Sequence, residues 1–160
     1  INHQVGNILV PPATKVQEHT MLVPGTDGEK MSKSRENVIN LFLDDKKLRK
    51  QIMKIQTDST PLEYPNNPDT CNLFALYKLV ADDRQIEEMR TNYLGANYGY
   101  GHAKQAFFDL LINKYAKERE LYHHYMNNLN EIDDALAIGA EKAQKVARKV
   151  LSRVREKLGY

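Results

Sequence analysis

One cysteine, Cys71, occurs in 160 residues. A lone thiol closes no internal disulfide and holds no metal by itself, so neither a disulfide scaffold nor a metal site is expected. Sparing use of cysteine fits a reducing compartment, and cytoplasm is the expected location. No apolar run approaches the roughly 18 to 20 residues that a membrane helix needs, so no spanning helix and no membrane partner are expected. An initiating methionine is also missing. The chain opens at Ile1 with no charged leader and apolar stretch behind it, which leads us to expect a trimmed start or a piece of a longer protein. What is present suits a soluble fold, with 41% hydrophobic residues for a core and 28% charged residues for its surface. The length allows one domain, or one small domain and part of another.

A net charge of +2 conceals a pattern. Residues 30–54 carry eight Lys/Arg against three Asp/Glu, and residues 141–160 carry seven against two. Between them, residues 55–140 carry seven against thirteen. Two basic blocks therefore flank an acidic middle. Such blocks suit either phosphate partners or plain solvation.

The first thirty residues do not read as helix. Ile8-Leu9-Val10 and Met21-Leu22-Val23 are short β-prone runs stopped by Pro11-Pro12 and Pro24-Gly25. Two short strands make no core, and residues 1–36 are expected to be the tail end of an α/β domain. Residues 37–160 read as a helical bundle, so the expected class is mainly α, with a short α/β remnant in front. A first helix follows Asp44 through Leu48 and Ile52, after the apolar pair Leu41 and Leu43. Pro61, Pro65 and Pro68 enforce a connector. Thr70 or Asn72 then caps a helix through Leu73, Leu76, Tyr77 and Val80, and Asp82 or Asp83 caps the next. Gly95 is expected as its left-handed C-cap. Three glycines between Gly95 and Gly101 predict a loop, followed by one long helix from His102 to Asn127. A last helix spans about Asn130–Lys157, with alanines that suit a close helix–helix approach.

Lys30-Met31-Ser32-Lys33-Ser34 carries the chemistry. Two ammonium groups three residues apart, with hydroxyls between and beside them, suit a polyphosphate. The string follows a loop rich in turn residues and precedes a helix start, whose free N–H groups also favour anions.

This string is identical to the second signature of the class I aminoacyl-tRNA synthetases. Lys54-Ile55-Gln56-Thr57-Asp58-Ser59, Cys71-Asn72-Leu73-Phe74, Tyr98-Gly99-Tyr100-Gly101-His102-Ala103-Lys104 and the closing Val154-Arg155-Glu156-Lys157-Leu158-Gly159-Tyr160 resemble the bacterial tryptophanyl-tRNA synthetases. The resemblance implies a loop that closes on ATP, delivered as its Mg2+ complex, while a tryptophan carboxylate attacks the α-phosphate. Lys30 and Lys33 would be the catalytic charges, and Met31, Ser32, Ser34 and Met21 would complete the ATP site. Tryptophan and tRNA(Trp) would be the partners, the helical part an anticodon-binding domain, and the full-length protein a homodimer. The family's first signature, His-apolar-Gly-His, is absent, since none of His3, His19, His102, His123 and His124 begins it. The tryptophan pocket belongs with that signature, so this stretch alone is expected to be inactive. A tyrosyl-type synthetase and a non-catalytic helical RNA-binding module stay open as alternatives.

Other candidates read as structure. His123-His124 point about 100° apart on a helix with no third ligand at a useful spacing. Tyr98 and Tyr100 brace a glycine-rich turn, Asp82-Asp83 and Asp133-Asp134 complement helix dipoles, and Cys71 is a small buried residue. On the last helix Lys142, Lys145, Arg148 and Arg155 lie beside the apolar stripe and are the candidates for RNA phosphate.

Overall fold

The computed structural model describes residues 1–16 and 22–160. Met21, and with it part of the second β-prone run, lies outside the described residues, as does His19. Among the described residues the fold is helical, and the only β pairing is an isolated antiparallel bridge between Pro24 and Lys30. The helices are α1 (Asn2–Val5), α2 (Asp45–Met53), α3 (Asn72–Lys78), α4 (Asp83–Leu94), α5 (Tyr100–Lys114), α6 (Ala116–Asn127) and α7 (Leu129–Leu158). The chain divides into two compact units, one of residues 16–122 and one of residues 1–15 with 123–160.

The unit of residues 16–122 holds the hydrophobic core. Helix α5 packs against α2 and α3. Leu48 and Ile52 of α2, Leu73 and Phe74 of α3, Met89 and Tyr93 of α4, and Phe107 and Leu111 of α5 are all buried. Asp44 starts α2 by accepting the Lys47 N–H, and Asp82 with Gln85 forms a reciprocal capping box on α4. Both caps agree with the sequence pattern. Cys71 precedes α3, buried, with its Sγ 3.6 Å from the Tyr93 hydroxyl.

Three boundaries differ from expectation. Gly95 closes α4 in an extended conformation at φ −80° rather than a left-handed one, and Asn97 takes the positive φ at 67°. Helix α5 begins at Tyr100, so Gly101 is helical despite its propensity. The helix expected from His102 to Asn127 breaks at Tyr115, whose ψ is 19°. Neither proline nor glycine is present there. Flanking the break, the Lys114 ammonium donates to the Val80 carbonyl, and Arg119 donates to the Leu41 carbonyl and to Asp45. Tertiary partners for those two cations, rather than a local breaking residue, accompany the interruption.

In the other unit, Ile8-Leu9-Val10 forms no strand. The Asn2 carboxamide takes its polar groups instead, accepting the Ile8 and Leu9 N–H groups and donating to the Leu9 carbonyl at 2.6 Å. An extended run without a neighbouring strand has no ladder to join. Arg153 of α7 donates to the Ile8 carbonyl at 2.8 Å. Helix α7 has no buried residue, and its Leu136 and Val146 are 64% and 66% exposed. The close packing expected at its alanines is therefore absent among the described residues of this unit.

Candidate functional site

The signature sits on a tightly folded loop. Pro24 and Gly25 open it, and Gly28 turns it at φ 83°, a conformation that favours glycine. The Gly25 N–H donates to the Glu29 carbonyl at 2.6 Å and the Met31 N–H to the Val23 carbonyl at 2.9 Å, closing a narrow ribbon. Asp27 accepts the Glu29 N–H at 3.0 Å, the local side-chain turn that aspartate favours. After the ribbon, Lys33–Arg35 form one 3-10 turn, and Glu36 leaves it at φ 54°.

Asn37 ties these parts together. It is 2% exposed. Its Oδ1 accepts the Ser32 N–H at 2.8 Å, and its Nδ2 donates to Asp27 Oδ1 at 2.7 Å and to the Lys30 carbonyl at 3.2 Å. The Asn37 amide holds the Asp27 carboxyl below its ordinary range, against a smaller opposing effect of burial. Elsewhere in the unit, Asn72 at the start of α3 donates to the Gly25 carbonyl at 2.9 Å, and the Gln56 N–H donates to the Thr26 carbonyl at 2.7 Å.

Met31 points the other way. With Val23, Ile39, Leu41, Leu76, Phe107 and others it lines an open apolar cavity of about 250 Å³. The Lys33 stem lines a neighbouring apolar groove with Phe42. Lys30 and Lys33 are themselves exposed, and neither is ion-paired among the described residues. The neighbouring Arg35 pairs loosely with Glu29 at 3.6 Å, a contact of little strength at that exposure. Ser32 and Ser34 Oγ atoms lie 3.3 Å apart. The arrangement is a fixed backbone presenting two unneutralised ammonium groups and two hydroxyls to solvent, which suits a polyanion.

Other segments with distinctive sequence converge in this unit. Asp58 accepts from Thr60 and, at 2.8 Å, from the Tyr100 hydroxyl, and these bonds hold its carboxyl low, with Thr60 the larger cause. Lys104 donates to the Met53 carbonyl at the end of α2 at 3.2 Å. Burial lowers its ammonium below the usual lysine range. Tyr98 reaches the Met89 sulfur at 3.5 Å, so both tyrosines brace the turn as expected. In the other unit, Lys142, Lys145, Arg148 and Arg155 are all exposed on α7, and none is ion-paired among the described residues. His124 pairs with Glu131 at 3.0 Å. Among the described residues no group of three or more His, Cys, Asp or Glu could hold a metal ion, and no helix is long and apolar enough to cross a membrane.

The family described as tRNA synthetases class I (W and Y) matches residues 2–116. The chain belongs to this family. The tryptophan–tRNA ligase of Campylobacter jejuni is 39% identical over 160 residues, covering 99% of this chain and 50% of that protein. The tryptophan–tRNA ligase of Rhodopirellula baltica is 40% identical over 158 residues, covering 99% and 49%. Among solved structures, the Campylobacter jejuni tryptophanyl-tRNA synthetase complexed with ADP and tryptophan superposes with a TM-score of 0.86 at 37% identity. That match covers 99% of this chain and 50% of that one. The chain thus spans about half the length of the relatives it matches.

In this class I synthetase chain the loop was legible from its lysines, but its supports were not. Asn37 reads in sequence as the start of a helical pattern, whereas it is a buried amide five residues after Ser32. Asn72 reads as a possible cap and instead reaches back to Gly25. Gly25 within the loop and Asn37 just after it are both buried. The available signal was a small polar residue between the signature and the apolar run Val38-Ile39, too common a pattern to single out.

Proposed function

We propose that this chain is part of a tryptophan–tRNA ligase that activates tryptophan with ATP and transfers it to tRNA(Trp). Residues 1–36 belong to the end of the catalytic domain, and residues 37–160 are the helical anticodon-binding domain. The tryptophan carboxylate attacks the α-phosphorus of ATP, brought as its Mg2+ complex. A mixed carboxylic–phosphoric anhydride, the adenylate, forms as the bond from the α-phosphorus to the bridging oxygen breaks and pyrophosphate leaves. Negative charge builds on the departing pyrophosphate. Lys30 and Lys33 meet that charge, Ser32 and Ser34 offer hydroxyl donors, and the Met31 backbone and Met21 complete the nucleotide site. Lys142, Lys145, Arg148 and Arg155 contact tRNA phosphate. The full-length enzyme is a cytoplasmic homodimer, and this stretch by itself is inactive because the first signature and the amino-acid pocket are not in it.

The observation that carries this reading is the signature loop, with both ammonium groups exposed and unpaired on a backbone fixed from behind. The test is Lys33→Ala in the full-length ligase, followed by single-turnover adenylate formation. Losing a charge aimed at the transition state costs about 3 kcal/mol, or about a hundredfold in rate, with tryptophan affinity little changed. An unchanged rate refutes the assignment.

A further inference from the structure

We infer that Asn37 is a positioning residue for the signature lysines, acting through the backbone it holds. Its carboxamide bonds the carbonyl of Lys30 and the N–H of Ser32, the two peptide groups on either side of Met31. The backbone that sets the direction of Lys30, and that leads directly into Lys33, is therefore fixed by one buried side chain. The Asn37 carbonyl also accepts the Thr26 N–H at 2.9 Å, so the same residue holds the opposite arm of the ribbon. Every polar atom of its side chain has a partner in the loop, and none bonds to a helix. A residue serving only to anchor the helical core has no reason for that distribution.

Asn37 packs directly on Gly25. A Cβ on Gly25 would stand 2.2 Å from Asn37 Nδ2 and 2.3 Å from its Cγ. The Gly25 carbonyl is in turn held by Asn72 of α3. The chain of contacts runs from α3 through Gly25 and Asn37 to the peptide groups between the lysines. A flexible lysine loses reaction rate when its anchor point wanders, because the ammonium must then find the leaving group from many starting positions.

This inference rests on the ligase reading, and the experiment separates the two. In the full-length ligase, single-turnover adenylate formation is measured for wild type, Asn37→Ala, Lys33→Ala, the pair Lys30→Ala with Lys33→Ala, and that pair combined with Asn37→Ala, with tryptophan affinity measured at equilibrium. Asn37→Ala is expected to slow the step by about ten- to a hundredfold while leaving tryptophan affinity unchanged. In the background lacking both ammonium groups, Lys30→Ala with Lys33→Ala, the same change is expected to add less than about twofold, because its effect is exerted through those lysines. Asn37→Asp repeats the cycle with the shape kept and both donated bonds removed, and it decides the matter if the alanine variant does not fold. A slow Lys33→Ala beside full-speed Asn37 variants overturns the positioning role alone, as does an equal loss with and without the two lysines. A full-speed Lys33→Ala overturns the ligase reading and this role with it.

Discussion

Asp27 shows how one carboxylate joins a local turn to a buried amide. It accepts the Glu29 N–H and the Asn37 Nδ2–H, and the second bond is the larger reason its carboxyl is held below the ordinary value of 3.8. A lowered folded-state value means that the ionised form favours the fold. That contribution is complete above the unfolded value and is lost as pH falls through the lower, folded one. The Glu29 amide resonance is therefore expected to titrate with a midpoint below 3.8. The step should vanish in Asp27→Asn, and a midpoint at or above the ordinary value would dissociate Asp27 from the Asn37 network. At this scale the sequence was uneven. Charges and hydroxyls of the signature could be read because their chemistry is in the side chains themselves. Asn37 and Asn72 could not, because what they do depends on backbone groups that the chain brings to them from 5 and 47 residues away.

Among the elements, capping chemistry was legible and tertiary interruption was not. Asp44 and Asp82 sit where a short acceptor just before a periodic apolar run puts a helix start. The break at Tyr115 has no local mark, since its apolar spacing continues and the Tyr115 N–H still bonds the Leu111 carbonyl. Composition alone places Gly101 in a loop, yet a Cβ there would meet nothing within 4 Å, so its helical place reflects the register of α5 rather than crowding. Gly139 is the clearer case, deep within the 30 residues of α7, where an added Cβ would likewise meet nothing within 4 Å. No neighbour requires a glycine there, and its backbone freedom only weakens the helix. Gly139→Ala is expected to stabilise α7 by about 0.8 to 1.0 kcal/mol, read as higher helicity and a higher melting temperature by circular dichroism. A loss of helicity would mean that the position needs close approach by another backbone.

Over the whole molecule, charge divides along the chain more clearly than hydrophobicity does. The basic block at residues 30–54 includes the signature loop and α2, and the block at 141–160 covers the second half of α7. On α7 at about 100° per residue, Lys142, Lys145, Arg148 and Arg155 fall within about 140° of arc. Lys142 and Arg155 are nearest the two edges of the Ala143, Ala147, Val150 and Val154 stripe, with Lys145 and Arg148 on the far side rather than beside it. Val150 and Val154 are half-buried, whereas Ala143, Ala147 and the four cations are exposed, so the two faces differ mainly in charge. If that basic face lies along tRNA, replacing all four cations by alanine removes charge without touching the stripe. Alanine is also the best helix former, so α7 should stay folded. In the full-length ligase the quadruple variant is expected to bind tRNA(Trp) more weakly. Its log affinity should fall less steeply with log salt, by about 0.7 to 0.9 for each phosphate that is no longer neutralised. Salt titration of wild type and variant, with circular dichroism as the control for folding, makes the comparison. Equal affinities with parallel slopes would make this face merely solvated and put the tRNA elsewhere, because a cation that releases no counterion contributes nothing to the slope.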